Sequence, residues 1–351
     1  MEELPWTRTK GELFLASIII AYSAFAFYLN YKPDNNNNNN NQKIESPRDH
    51  PIRIKKIIIY PIKSCKGVEV RSCKLDKFGF ENDRRFMLVS NGRFMSQRKA
   101  PKMALIQPKI SDDGKWLIVN RIDGKGEELR VLINDPKRKE IVNVGIWKDS
   151  VNVVDCGEES SNWFSKFLES DVKLVTMAPG ETYTRKVDTD YLNNDDDNKD
   201  KELYQVSLCD SAQINILSES SINDLNKRIS ETRKSKNESE REPLSWESFR
   251  PNVLVSGYSC QPFEEDTWEQ IRISGLLLKK ISPGCPRCKL TTVNPEKGII
   301  NQYDDNEPLR TLETYRKFDT GLLFGVEFVH QQQDGEEFSV GDIIDVLKAI
   351  N

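Results

Sequence analysis

Histidine is nearly absent from this chain of 351 residues, which contains only His50 and His330. Seven cysteines are present, yet only Cys285 and Cys288 form a close pair. A four-ligand zinc ribbon needs two such pairs, or one pair plus a close histidine pair, so a ribbon of that kind is excluded. An odd set of irregularly spaced thiols also argues against a disulfide scaffold and for a reducing compartment. Charge of one sign is not in excess. The chain has 51 Lys and Arg against 55 Asp and Glu, a net charge of −4 that offers no global polycation for nucleic acid. There is no glycine fingerprint for phosphate, nicotinamide or flavin, and no strand–helix alternation of the doubly wound kind.

One long hydrophobic run is present. Leu13 to Tyr31 carries no charge, and about 18 residues of helix span roughly 27 Å, close to a bilayer core. Ala24-Phe25-Ala26 resembles a signal-peptidase site, but Glu2, Glu3 and Glu12 spoil both a basic leader and an acid-poor transit peptide. The prediction is therefore an N-terminal membrane anchor over residues 1–32, with reduced thiols favouring a body that faces the cytosol. Residues 33–51, dominated by Asn35 to Asn41, form a linker that cannot build a core. Asp188 to Glu202 and Glu231 to Glu242 read as solvated insertions, the first marking a domain boundary.

The remaining body is rich in strand signals. Ile57 to Tyr60 is stopped by Pro61, and Phe86 to Val89 runs through Asn91-Gly92 into Phe94-Met95 as a hairpin. Further strands are predicted at Ile106 to Ile110, Trp116 to Val119, Val151 to Asp155, Val253 to Ser256, Ile271 to Ile273, Leu276 to Ile281 and Ile343 to Leu347. Two helices are predicted: one capped by Ser160 or Ser161 with Trp163, Phe164, Phe167 and Leu168 on one face, the other capped by Ser220 or Ser221 with Ile222, Leu225 and Ile229. The fold class is thus α+β and strand-dominated, barrel-like, with few helices.

Four segments gather cations or amides near strand ends: Lys63 and Ser64, then Arg84 and Arg85, then Arg250 and Asn252, then Arg287 between the paired cysteines. With Ser211 as a further hydroxyl, such groups suit an anion bound across a rim, although each cation alone is as readily a solvated loop residue. The cysteine pair admits three readings: a redox dithiol, a single thiolate donor to a cofactor-borne metal, or a tight turn. Arg287 favours a thiolate, and Leu290 to Val293 reads as a strand, so the pair sits on a loop entering a strand rather than on a thioredoxin-like helix. Cys65, Cys73, Cys156, Cys209 and Cys260 read mostly as small buried hydrophobes, and Trp116, Trp163 and Trp268 as core.

Tyr60-Pro61-Ile62-Lys63-Ser64-Cys65-Lys66-Gly67, Phe249-Arg250-Pro251-Asn252-Val253 and Cys285-Pro286-Arg287-Cys288-Lys289-Leu290-Thr291-Thr292-Val293 occur in this order. Together they resemble the MOSC-domain family, and within it the membrane-anchored molybdenum enzymes that reduce amidoximes. Glu307-Pro308-Leu309, Thr311-Leu312 and Tyr315-Arg316 extend the likeness, which runs from about Ile52 to the C-terminus. The resemblance implies a MOSC β-barrel domain over 188–351 and a β-rich domain over 52–187. It implies a molybdenum cofactor whose metal is bound by Cys288 rather than Cys285. Lys63, Ser64, Arg85, Asp210, Ser211, Arg250, Asn252 and Arg287 match the cofactor-binding positions. Ala212 and Pro286 depart from hydroxyl residues common in the family. The implied reaction reduces N-hydroxylated compounds with electrons from a b-type cytochrome and its NADH-dependent flavin reductase, on the mitochondrial outer membrane; the hydrophobic span alone would equally suit the endoplasmic reticulum. The alternative is a non-enzymatic, membrane-tethered cofactor carrier or sulfur-delivery module. The pyridoxal-phosphate half carried by cofactor sulfurases is lacking, so pyridoxal phosphate is not expected here.

Overall fold

Strands outnumber helices throughout the computed structural model, which describes residues 51–187, 204–257, 259–330 and 335–350. The predicted membrane anchor, most of the linker and the Asp188 to Glu202 insertion lie outside the described residues. Among the residues described, no helix is long and apolar enough to cross a membrane.

Two β assemblies dominate. Strands β1 (Arg53–Ile59) and β2 (Val68–Val70) come first, followed by β3 (Phe86–Ser90), β4 (Arg93–Phe94), β5 (Ile141–Ile146), β6 (Asp149–Asp155) and β7 (Lys173–Met177). After these come β8 (Ile214–Ser218), β9 (Val253–Ser256), β10 (Trp268–Ile273), β11 (Leu276–Lys280), β12 (Val326–His330) and β13 (Ile344–Ala349). Five strands close into a barrel in the order β5-β6-β7-β3-β4. The other eight form a sheet in the order β2-β1-β9-β8-β12-β11-β10-β13.

Local chemistry accounts for both. In the barrel, Asn91 and Gly92 turn the β3–β4 hairpin with φ of 51° and 70°, the left-handed backbone that a tight right-twisted hairpin requires. The large sheet curls until its last strand reaches its second. Ile54 N donates to Asp342 O, and Ile344 N to Ile52 O, both at 2.9 Å. It is thus barrel-like, and it encloses Ile54, Ile57, Ile216, Trp268, Ile271, Val326 and Phe328 in one core. Strand β1 pairs antiparallel with β9, with Arg53 opposite Ser256 and Ile57 opposite Val253, so strands from the two ends of the sequence share a sheet.

Helix boundaries differ from the sequence reading. Helix α1 (Glu158–Leu168) starts after Gly157, not at Ser160 or Ser161, whose hydroxyls donate back to Gly157 O. Gly157 can take the φ of 100° that enters the helix, and Glu158 and Glu159 complement its dipole. Helix α2 (Glu219–Ser235) is capped by Ser218, whose Oγ accepts from Ser221 N at 3.1 Å. It runs into the segment predicted as a solvated insertion. Arg233 there is buried and pairs with Asp305 at 2.6 Å. The predicted strand at Leu290 to Val293 is instead a short 3-10 turn, Lys289–Thr292, followed by the two-residue strand Val293–Asn294. Thr291 and Thr292 hydroxyls bond the carbonyls of Cys288 and Lys289, an alternative to a strand ladder. Helix α3 (Leu309–Tyr315) was not predicted; the buried Glu307 carboxylate accepts from Thr311 N and Oγ1 within its first turn.

A cationic cavity beside the paired cysteines

A cavity of about 430 Å³ is lined from both halves of the chain, by Lys63, Ser64, Arg84 and Trp147 and by Asp210, Ser211, Arg250, Asn252, Arg287 and Cys288. Four of these residues have left-handed backbone: Ser64 (φ 66°), Arg84 (φ 49°), Trp147 (φ 52°) and Arg250 (φ 56°). Non-glycine residues occupy that region at a cost, and their convergence on one cavity marks it as a site where shape outweighs local comfort.

The arginines are held by specific partners. Arg84 Nη1 donates to Asp83 Oδ2 at 2.5 Å and to Asn252 Oδ1 at 2.9 Å. The guanidinium carbons of Arg84 and Arg250 lie 4.3 and 4.2 Å from the Tyr60 ring centroid, so one aromatic ring steadies two cations. Arg287 Nε donates to Phe324 O at 2.7 Å and Nη1 to Phe249 O at 2.8 Å. Gly325 makes room for this group: at its φ of 77°, an added Cβ would lie 3.1 Å from Arg287 Nη2 and 3.0 Å from Ile216 O. Nη2 of both Arg250 and Arg287, and Oδ1 of Asn215, are buried without a hydrogen-bond partner. Burial pushes Arg250 below its ordinary pKa, with Arg84 adding repulsion against the pull of Tyr60. Two unpaired guanidinium N–H groups in one cavity constitute a demand for an anion.

Lys63 is buried and ion-paired with Asp210, which also accepts from Trp147 Nε1 at 2.9 Å. Burial pushes the Asp210 carboxyl up, but Lys63 and its hydrogen bond outweigh this and hold it well below the usual carboxylate range. Its side chain is 59 % exposed at the cavity mouth, so solvent screens much of that attraction. Ser211 hydrogen-bonds to Glu327, which also accepts from Ser282 at 3.2 Å. Burial raises the Glu327 carboxyl against the opposing pull of Ser211 and Arg287. Asn252 is committed to the scaffold: it accepts from Arg84 and donates to Ile58 O at 3.2 Å.

The two cysteines are unequal. Backbone bonds from Cys285 N to Gly325 O at 2.8 Å and from Arg287 N to Leu322 O at 2.7 Å lock their turn against Leu322–Gly325. Cys285 is half-buried and its Sγ accepts from Asn215 Nδ2 at 3.6 Å; burial raises its thiol well above the ordinary value despite Arg287. Cys288 is exposed and lines the cavity. Among the described residues, no three His, Cys, Asp or Glu side chains gather to hold a metal. A metal at Cys288 would therefore take its other ligands from a cofactor.

Profile matches now bear on what the cavity belongs to. Residues 51–171 match the MOSC N-terminal beta barrel domain and residues 203–345 match the MOSC domain. The chain belongs to the MOSC-domain family. It is 34 % identical over 295 residues to the rat protein named mitochondrial amidoxime reducing component 2, covering 78 % of each chain. The human protein of that name is 34 % identical over 275 residues, covering 76 % of this chain and 73 % of its own. The human mitochondrial amidoxime-reducing component 1 is 31 % identical over 308 residues, covering 84 % and 82 %.

Within this MOSC chain, one predicted position does not reach the cavity. Arg85 turns away: its Nη2 bonds Asp76 at 2.6 and 2.7 Å and Phe80 O at 3.2 Å, and it lines a second cavity of about 740 Å³. Arg84, in left-handed backbone two residues before β3, lines the first cavity instead. Of the Asp83-Arg84-Arg85 run, Arg84 is the arginine that lines this cavity. Trp147, Asn215 and Glu327 were missed entirely. For Trp147 the available signal was a bulky ring in a two-residue turn, where small polar residues are usual.

Proposed function

We propose that this cavity binds a molybdenum cofactor and that the protein reduces N-hydroxylated compounds such as amidoximes and hydroxylamines. The observation that carries the reading is the exposed Cys288 thiol beside Arg287, in a cavity where Arg250 and Arg287 each keep a buried N–H without a partner. Those groups fit an anionic, phosphate-bearing cofactor, and a soft metal suits a thiolate. Cys288 would supply the protein thiolate. Arg84, Arg250 and Arg287 would take the anionic portion; Lys63, Ser64, Asp210 and Ser211 would border it, and Asn252 would orient Arg84. When bound, the cofactor supplies the two-electron chemistry by which oxygen leaves nitrogen as water with two protons. The names of the relatives support the same substrate class.

On this reading residues 52–187 and 188–351 are two domains that jointly enclose the cavity. Electrons come from a b-type cytochrome and its NADH-dependent flavin reductase. The Leu13 to Tyr31 run anchors the protein to the mitochondrial outer membrane; the relatives' names support the mitochondrial part of this reading.

Metal analysis and benzamidoxime reduction with an artificial donor test the site. Cys288→Ser loses molybdenum and activity, whereas Cys285→Ser keeps most of both, since the Cys285 thiol stays protonated against its neighbours. Equal loss from both substitutions would instead indicate a dithiol. Molybdenum-loaded protein that fails to reduce benzamidoxime would indicate the carrier or sulfur-delivery role.

A further inference from the structure

Trp147 occupies a position that packing does not explain. It and Lys148 form the two-residue turn between β5 and β6, with Ile146 opposite Asp149. Its φ is 52°, a backbone that a bulky side chain adopts only under constraint from its surroundings. The ring is 42 % exposed, yet it lines the cavity that holds Cys288.

Its surroundings hold it there from several sides. The indole Nε1 donates to Asp210 Oδ1 at 2.9 Å, and Asp210 is ion-paired with buried Lys63. The backbone carbonyl of Trp147 accepts from Arg93 Nη2 at 3.0 Å. The Arg98 guanidinium lies 4.3 Å from the indole centroid, and Phe94 packs at 5.2 Å, tilted by 53°. Lys63 Nζ in turn sits 5.4 Å from the Phe94 centroid. An exposed aromatic would ordinarily move freely; this one is fixed by a hydrogen bond, a cation and a second ring. A strained turn that fixes a large apolar surface at a cavity mouth is pre-organised for a flat partner.

From this geometry we infer that Trp147, backed by Phe94 and Arg98, is a specificity-determining shelf that selects planar aromatic N-hydroxylated substrates over aliphatic ones. The inference rests on the reductase reading of the same cavity and adds the substrate class. A stacked aryl group gains contact with the indole, whereas an aliphatic chain bearing the same reacting group gains little. The shelf contributes to binding, so its loss falls on KM more than on kcat.

Benzamidoxime and acetamidoxime carry the same reacting group and differ in the ring, which makes them the probe pair. With the full-length, cofactor-loaded protein and an artificial electron donor, Trp147→Ala is expected to shift the ratio of their kcat/KM values about tenfold against benzamidoxime. That shift should appear mainly in KM. Trp147→Phe, which keeps a ring but loses the bond to Asp210, is expected to restore most of the preference. Binding without donor supplies a readout independent of turnover: benzamidoxime quenches wild-type tryptophan fluorescence, acetamidoxime does not, and Trp147→Phe abolishes the quench. Equal losses for both substrates in Trp147→Ala, unrelieved by Trp147→Phe, would make the indole a support for Asp210 and overturn the shelf. An unchanged ratio would overturn it as well. Wild-type protein that turns over neither amidoxime defeats the reductase reading alone, because the fluorescence titration still decides whether the ring meets an aryl ligand.

Discussion

At the scale of single residues, the side chains nearest one another in sequence part company in space. Arg84 and Arg85 are adjacent, yet one lines the cavity with Cys288 and the other is held by Asp76 and Phe80. Their difference is testable on the molybdenum-cofactor reading of the cavity. Arg84→Ala removes a cation that Asn252 and Tyr60 hold in place, and molybdenum content should fall severalfold on purification. Arg85→Ala removes a group outside the cavity and should leave molybdenum content within about twofold while lowering thermal stability, since Asp76 loses its bidentate partner. The reverse ranking, read by metal analysis of the two variants, would return the cofactor contact to Arg85. The paired cysteines show the same separation. Three residues apart, they differ in exposure and partners, Cys285 being clamped against Leu322–Gly325 while Cys288 is exposed.

At the scale of elements, periodic and turn-rich segments were legible in the sequence and contextual ones were not. Val253 to Ser256 was predicted to its ends, and the Asn91-Gly92 hairpin formed where expected, because alternation and turn chemistry are local. Strands β8 and β12 were missed. Ile214–Ser218 and Val326–His330 are buried along most or all of their length, so they carry little alternation. The start of α2 was misplaced by a few residues for a different reason. Ser218, Ser220 and Ser221 are all plausible caps, and the choice is made by where β8 ends and by Glu265, a residue distant in sequence. Glu265 Oε1 accepts from Ser218 N at 3.0 Å and Ser221 Oγ at 2.8 Å. Burial nevertheless raises its carboxyl above the ordinary value of 4.5, outweighing those bonds. The folded state therefore binds this proton more tightly than the unfolded chain does. Its contribution to stability is full below the unfolded pKa and is lost as pH rises through the folded one. Thermal melts from about pH 4 to about pH 8 should show wild type losing stability relative to Glu265→Gln as pH rises. A difference between the two that stays constant, or in which wild type gains on Glu265→Gln as pH rises, would contradict this placement of the proton.

At the scale of the whole molecule, the order of strands in space departs from their order in sequence, and the cavity depends on that departure. The sequence suggested two domains divided at Asp188 to Glu202. What it could not show is that β1, from the start of the body, lies between β2 and β9 in the large sheet. Non-local strand pairing leaves no local signature, since β1 reads only as a hydrophobic run. That placement carries Lys63 and Ser64, just beyond β1, to the wall of the cavity that Cys288 also lines. It also makes the second half dependent on the first. Ile54, Ile57 and Ile59 are buried in the core of the large sheet, and each such side chain stabilises by about 1.5–3 kcal/mol. Their sum of roughly 5–9 kcal/mol matches the net stability of a typical domain. A fragment of residues 203–351 would therefore expose one edge of β9 and the apolar surface that β1 covers, and is expected to be insoluble or aggregated. Co-expression with residues 51–187 should return it to solution as a stable complex, because the missing strand can add in trans along the same register. Size-exclusion chromatography with thermal unfolding decides the matter: a fragment 203–351 that is monomeric alone and melts cooperatively would show that β1 is not needed to complete the sheet.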